Sequence, residues 1–170
     1  MSTTAIHLRD VGMRLGDVDV LQDVSLDLDA RTVAVIGENG SGKSSFARLI
    51  GGLATRTSGE LGILGIDPSR RAAELRRRIA VVFSNPDAQI IMPTVGEDVA
   101  FSLRADKLRP AELGQRVATA MERFGLAHLA ERPSHDLSGG QKQLLALCGA
   151  FVRNPELVIA DEPTAYLDAR

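Results

Sequence analysis

The sequence predicts an α/β protein with a mostly parallel central sheet, an antiparallel β subdomain near its N-terminus and an inserted helical lobe. Three observations carry this prediction: apolar and polar residues alternate over the first thirty positions, three short runs are continuously apolar, and the stretch between Asp87 and Asn154 takes helical spacing.

In chain order, Ile6 and Leu8, then Val11, Met13 and Leu15, and later Val24, Leu26 and Leu28 alternate with polar residues, as half-exposed antiparallel strands do. The runs TVAVIG from Thr32, IAVVF from Ile79 and LVIA from Leu157 are too short for helices. They suit strands covered on both faces, as in a parallel sheet. Thr94 with Glu97, ahead of Val95 and Val99, forms a capping box, because each side chain can satisfy a backbone donor at the other residue. A helix is expected to begin there. Pro110 opens a stretch that sets Leu113, Val117, Met121 and Phe124 on one helical face and closes at Gly125. Ser138 with Gln141 is a further capping box before Leu144, Leu145, Cys148, Phe151 and Val152, with Asn154-Pro155 as the stop. The expected organisation is one domain over 1–170, with residues 1–87 and 155–170 as α/β core and 88–154 as the helical lobe.

Composition bounds the function. With 170 residues, 44% of them hydrophobic, the chain can bury a core. Its 20 basic and 22 acidic residues leave a net charge of −2, which argues against nucleic acid as a partner. The run RRAAELRRR from Arg70 carries an acidic Glu74 and helical spacing, so it reads as a solvated helix face. The opening MSTTAIHLRD has neither a basic leader nor an apolar run of signal-peptide length, so no export is expected. The single cysteine, Cys148, suits a reducing compartment and a buried structural thiol.

Chemistry enters at Gly37-Glu38-Asn39-Gly40-Ser41-Gly42-Lys43-Ser44, which matches G-x-x-x-x-G-K-[ST] after an apolar run and before a helical pattern. This is a P-loop. Glycines at Gly37, Gly40 and Gly42 let the backbone wrap a phosphate chain, with Asn39, Ser41 and Ser45 completing the phosphate-binding stretch. Lys43 would reach the β and γ phosphates and Ser44 would ligate Mg²⁺. Asp161 and Glu162 end an apolar strand, where neighbouring side chains face opposite ways. Asp161 is thus expected to support Mg²⁺, and Glu162 to polarise the attacking water as general base.

Leu137-Ser138-Gly139-Gly140-Gln141 adds a third element, and with it the chain resembles the nucleotide-binding subunits of ATP-binding cassette (ABC) transporters, whose signature is LSGGQ. The resemblance runs from the P-loop through the signature and the strand LVIADE to Ala165, Tyr166, Leu167 and Asp168, which stand where the family has its D-loop. It implies ATP and Mg²⁺ as cofactors. The signature helix of one subunit would bind the γ-phosphate on another, so two ATPase subunits, alike or different, would close around ATP. The stretch VFSNPDAQIIMPTVGEDVAF from Val82 is similar to that of the cobalt-type and energy-coupling-factor ATPases, with the biotin-uptake ATPase the nearest guess. That group implies a membrane scaffold, a substrate-capturing membrane protein and a peripheral place on the cytoplasmic face of the membrane. A coupling helix of the scaffold is expected near residues 84–101.

Departures from the pattern matter. Ser84 occupies the Q-loop position where the family has glutamine, and Leu15 the place of an adenine-stacking aromatic. The resemblance also implies a switch histidine after the D-loop, whereas His7, His128 and His135 all precede Leu157 and are expected on the surface or in loops. The sheet strands and closing helices that follow in the family lie beyond Arg170, so these 170 residues are expected to bind Mg-ATP poorly and to hydrolyse it slowly. The competing functions are a non-hydrolytic regulatory subunit and a soluble ABC ATPase unconnected with transport.

Overall fold

The computed structural model describes residues 5–164, which fall into two compact units dividing at Ile79 and Ala80. In the first unit, strands β1 (Ile6–Leu15), β2 (Val18–Leu28) and β3 (Ser58–Ile63) form an antiparallel sheet in the order β2-β1-β3. The apolar positions of β1 change phase between Leu8 and Val11, and the ladder is irregular at that point, with Asp10 at φ 47°. An extra residue there turns Val11 and Met13 back to the face that Ile6 and Leu8 occupy, so all four are buried. Helix α1 (Lys43–Ile50) contributes Phe46, Leu49 and Ile50 to buried positions, and α2 (Pro68–Arg78) contributes Leu75.

The arginines of α2 are mostly exposed, and Arg71 pairs with Glu74, as a solvated face requires. Asp67 caps this helix by accepting from the Ser69 N–H, while Arg56 grips the same carboxylate with two bonds of 2.9 and 3.0 Å. Arg56 first, and then Ser69, hold the Asp67 carboxyl well below the usual carboxylate range. A lowered folded-state value stabilises the fold above the unfolded value of about 4, and this contribution is lost as pH falls toward the folded value. Asp67→Asn is therefore expected to weaken the dependence of stability on pH between about 4 and 2, measured by urea unfolding in parallel with the unaltered chain. An identical slope in both proteins would refute the assignment.

The second unit holds β4 (Ile79–Val82) from Ala80 onward and β5 (Leu157–Ala160), hydrogen-bonded neighbours, with three α-helices between them in sequence: α3 (Val95–Ser102), α4 (Pro110–Arg123) and α5 (Gly139–Phe151). Both expected capping boxes are formed. Thr94 and Glu97 exchange bonds at the start of α3, as do Ser138 and Gln141 at the start of α5. Gly125, at φ 69°, ends the α4 segment as its position after the last periodic residue predicts. A helical core gathers Val95, Val99, Met121, Leu126, Leu145 and Cys148. Burial pushes the Cys148 thiol up to about 11, in keeping with a structural role. The opposite side of α5, through Leu147, Ala150 and Phe151, packs on Ala80, Val82 and Val158 of the two strands.

A departure lies at Thr32–Gly37, expected as a strand of the parallel sheet. This run joins no ladder among the described residues, and Val33, Val35 and Ile36 are exposed, Ile36 by 91%. The reason is physical: an apolar run without alternation is stable as a strand only between partners that cover its edges and faces. Among the described residues none is paired with it.

Candidate functional site

The phosphate loop lies in the first unit. Gly37 to Gly42 turn back on themselves, the Ser41 N–H donating to the Glu38 carbonyl at 3.2 Å, and α1 starts at Lys43. Gly42 stands at φ 90° as the N-cap, and a Cβ there would come within 2.9 Å of the Val20 carbonyl oxygen on β2. A Cβ on Gly37 would meet the Ser41 Oγ at 2.7 Å. These positions accept only glycine without displacement. No side chain caps α1 and no acidic residue sits in its first turn. The helix therefore presents uncapped N–H donors and the positive end of its dipole, which is the chemistry of an anion cradle. Asn39, Gly40, Ser41 and Ser44 are exposed, and Ser45 is half-buried. The Lys43 Nζ donates to the Gly37 and Glu38 carbonyls at 2.9 and 2.7 Å, so the ammonium is folded over the loop it would serve.

Leu15 and Val18 face each other across the β1–β2 turn, 49% and 63% exposed. They form an aliphatic step two residues along the strand from Val20, whose carbonyl abuts Gly42. His7 pairs with Asp27 on this sheet, while His128 and His135 lie exposed in the second unit.

In the second unit, Ser138 leads into α5 with its Oγ accepting from the Gln141 N–H at 3.3 Å and the Gln141 Oε1 accepting from the Ser138 N–H at 2.9 Å. Leu137 is buried and anchors this entry. Gly139 and Gly140 then occupy the first turn without side-chain bulk, so this end too offers backbone donors. Asp161 follows β5 directly, its N–H donating to the Val82 carbonyl at 2.9 Å. The strand ends at Ala160, and Glu162 takes φ 49°. The strand thus stops just before these two carboxylates, and the chain bends at Asp161 and Glu162. A left-handed non-glycine residue costs about 1–2 kcal/mol. Ala165, Tyr166, Leu167 and Asp168 lie outside the described residues.

Two residues whose positions sequence reasoning left unexplained fix the segment after β4. Gln89 reaches back to accept from the Phe83 N–H at 2.8 Å and to donate to the Val81 carbonyl at 2.9 Å, so it splints the backbone on either side of Val82 and just before half-buried Ser84. Asp98 is buried and accepts from the Ile91 and Met92 N–H groups at 2.8 and 2.9 Å. Its signal was present in GEDVAF, where an acidic residue interrupts an apolar helical face.

Comparison with known proteins bears directly on this arrangement. The family model described as ABC transporter matches residues 21–165. A protein of Deinococcus radiodurans described as a putative ABC transporter ATP-binding protein is 46% identical over 165 residues, spanning 97% of this chain and 73% of its own. The biotin transport ATP-binding protein BioM of Rhizobium etli is 38% identical, again over 97% of this chain and 73% of its own. The structure of cbiO1 from Clostridium perfringens, part of the ABC transporter complex cbiONQ, superposes with a TM-score of 0.84 at 34% identity, covering 97% of this chain and 68% of that one. The match takes in the glycine cradle, the capped signature helix and the strand-end carboxylates together, and the chain belongs to the ABC transporter family.

Proposed function

We propose that this chain is the ATP-hydrolysing subunit of a membrane importer of the cobalt, nickel or vitamin type, biotin among the vitamins. The observation that carries this reading is the uncapped N-terminus of α1 behind a glycine cradle, with Lys43 poised over it. Residues 1–87 and 155–170 would serve as nucleotide-binding core and 88–154 as signature lobe. Gly37, Asn39, Gly40, Ser41, Gly42 and Ser45 would hold the phosphates through backbone and hydroxyl donors, and Lys43 would neutralise the β and γ phosphates. Leu15 would pack against the adenine.

Ser44 and Asp161 supply a hydroxyl and a carboxylate, hard oxygen donors of the kind Mg²⁺ takes. When bound, Mg²⁺ would offset charge on the β and γ phosphates. Glu162 would orient and deprotonate the attacking water as its oxygen meets the γ-phosphate. Leu137, Ser138, Gly139, Gly140 and Gln141 would present the N-terminus of α5 to nucleotide on a second ATPase subunit, and Ala165, Tyr166, Leu167 and Asp168 would line that interface. Nucleotide bound to both surfaces favours the closed pair, and hydrolysis withdraws that bias.

No helix among the described residues is long and apolar enough to cross a membrane. Membrane attachment on the cytoplasmic side would therefore run through a scaffold protein, docked near residues 84–101, with a substrate-capturing membrane protein beside it. The similarity to the biotin transport protein and to a member of the cbiONQ complex supports this class. Calorimetric titration with Mg-ATP tests the core of the reading. Saturable binding that disappears without Mg²⁺ or with a nucleoside lacking phosphates is expected, and no binding would overturn it.

A further inference from the structure

Helix α2 gathers five arginines, Arg70, Arg71, Arg76, Arg77 and Arg78, against the single carboxylate of Glu74. Two of them serve the fold. Arg71 pairs with Glu74 and donates to the Gly65 carbonyl at 3.2 Å, and half-buried Arg78 donates to the Leu64 carbonyl at 3.2 Å, so both lash the helix to the turn after β3.

Arg70 and Arg77 have no such task. Arg70 reaches Asp67 only at 3.7 Å with 84% of its side chain exposed, and that carboxylate is already held by Arg56 through two bonds. It stands in the first turn of α2, where a cation works against the helix dipole, so the helix itself gives no reason for it. Arg77 is exposed and has no ion pair or hydrogen bond among the described residues. Leu75 takes the buried side of the last turns, which sets Arg76 and Arg77 outward, and both are exposed. The dipole at the C-terminus favours a cation, and Arg78 already supplies one.

Charge is also segregated across this unit. Helix α2 packs on β3, at one edge of the sheet order β2-β1-β3, while β2 at the other edge carries Asp19, Asp23 and Asp27 and no basic residue. Arg14 and Arg9 pair with Asp19 and Asp27, and Asp23 stays exposed. Near an anionic plane such a unit turns its α2 edge toward the plane. Two features favour a lipid surface over a nucleic acid. PSRRAAELRRR has no aromatic side chain on which a base could stack, and Glu74 stands among the arginines where a continuous phosphate strand would pass. A headgroup layer asks only for exposed cations on one side of a helix.

We propose that α2 is a direct membrane contact, its outward arginines Arg70, Arg76 and Arg77 taking up the phosphates of anionic lipid headgroups. Each guanidinium matches a phosphate with two parallel N–H donors. Leu75 is committed to the core, so the contact is electrostatic and involves no insertion. It goes beyond the nucleotide and scaffold reading above and depends on neither.

Flotation with vesicles tests this, because bound chain rises with the lipid while aggregated chain sinks. The unaltered chain is expected to float with vesicles containing about one-third phosphatidylglycerol and not with phosphatidylcholine alone. That binding should vanish in about 1 M salt, where the screening length is about 3 Å. Arg70→Gln combined with Arg77→Gln should bind the anionic vesicles about 25-fold more weakly, about fivefold for each charge removed, and melt no lower than the unaltered chain. Arg123→Gln, which removes an exposed charge from α4, should bind like the unaltered chain. Equal losses in both variants would mean that binding follows net charge, and would overturn the proposal. So would absence of flotation by the unaltered chain, or tighter capture by single-stranded RNA than by the anionic vesicles at the same salt. Should the double variant fail to fold, Arg77→Gln alone decides, with a fivefold loss expected and unchanged binding counting against α2. Vesicle binding needs no nucleotide, so its failure leaves the Mg-ATP reading intact, and a failed Mg-ATP titration leaves this inference intact.

Discussion

Replacing Glu162 with glutamine is expected to lower ATP turnover by about 10²- to 10⁴-fold while Mg-ATP binding persists. Glutamine has the same shape and cannot accept the proton of the attacking water. Glu162 is exposed and lies past the last residue of β5, so its exchange removes no core contact. Its backbone stands at φ 49°, and the new side chain inherits that conformation without additional bulk. Stability should stay within about 0.5 kcal/mol of the unaltered protein, as surface substitutions usually do. Phosphate release and nucleotide binding, measured side by side, separate the two functions in contention. A motor loses the first and keeps the second. A regulatory subunit shows no change in either, and that result would end the hydrolytic reading.

Removing the ammonium of Lys43 should act on the other side of the balance. Lys43→Met deletes the bonds from Nζ to the Gly37 and Glu38 carbonyls and the charge offered to the phosphates. Loss of two charge-assisted contacts to phosphate oxygens, at about 1.5 kcal/mol each, is expected to weaken Mg-ATP binding by about 100-fold. Titration with a fluorescent nucleotide checks this, with a melting curve to show that the variant folds. Unchanged affinity would mean that Lys43 latches the empty loop and contributes nothing to the bound one.

Much of this was legible before any coordinates. Capping boxes are local bargains between side chain and backbone, so Thr94–Glu97 and Ser138–Gln141 could be read from spacing alone and are both present. The glycine cradle was legible for the same reason, because its geometry is a property of consecutive residues. The family resemblance read from these motifs agrees with the comparisons. What escaped depends on contacts distant in sequence or on a break in regularity. The two-sided grip of Gln89 on Val81 and Phe83 cannot be inferred from a strand pattern that stops at Val82. Asp98 lies on a helix whose face reads as apolar, and its partners are the backbone donors of a loop. The argument from strand alternation at Asp161 and Glu162 assumed a strand running through both, whereas β5 ends at Ala160 and Glu162 takes a positive φ. Thr32–Gly37 misleads in the opposite sense: its composition is that of an interior strand, and composition alone cannot supply neighbours.

That last segment governs how the 170-residue chain behaves in a tube. TVAVIG is uncharged, rich in β-branched residues and free of proline, joins no strand ladder among the described residues, and carries an isoleucine almost wholly in water. Such a stretch is a template for pairing with its own copy on another molecule, the first step toward ordered aggregates. Exposure of this run is therefore expected to weigh on the solubility of these 170 residues.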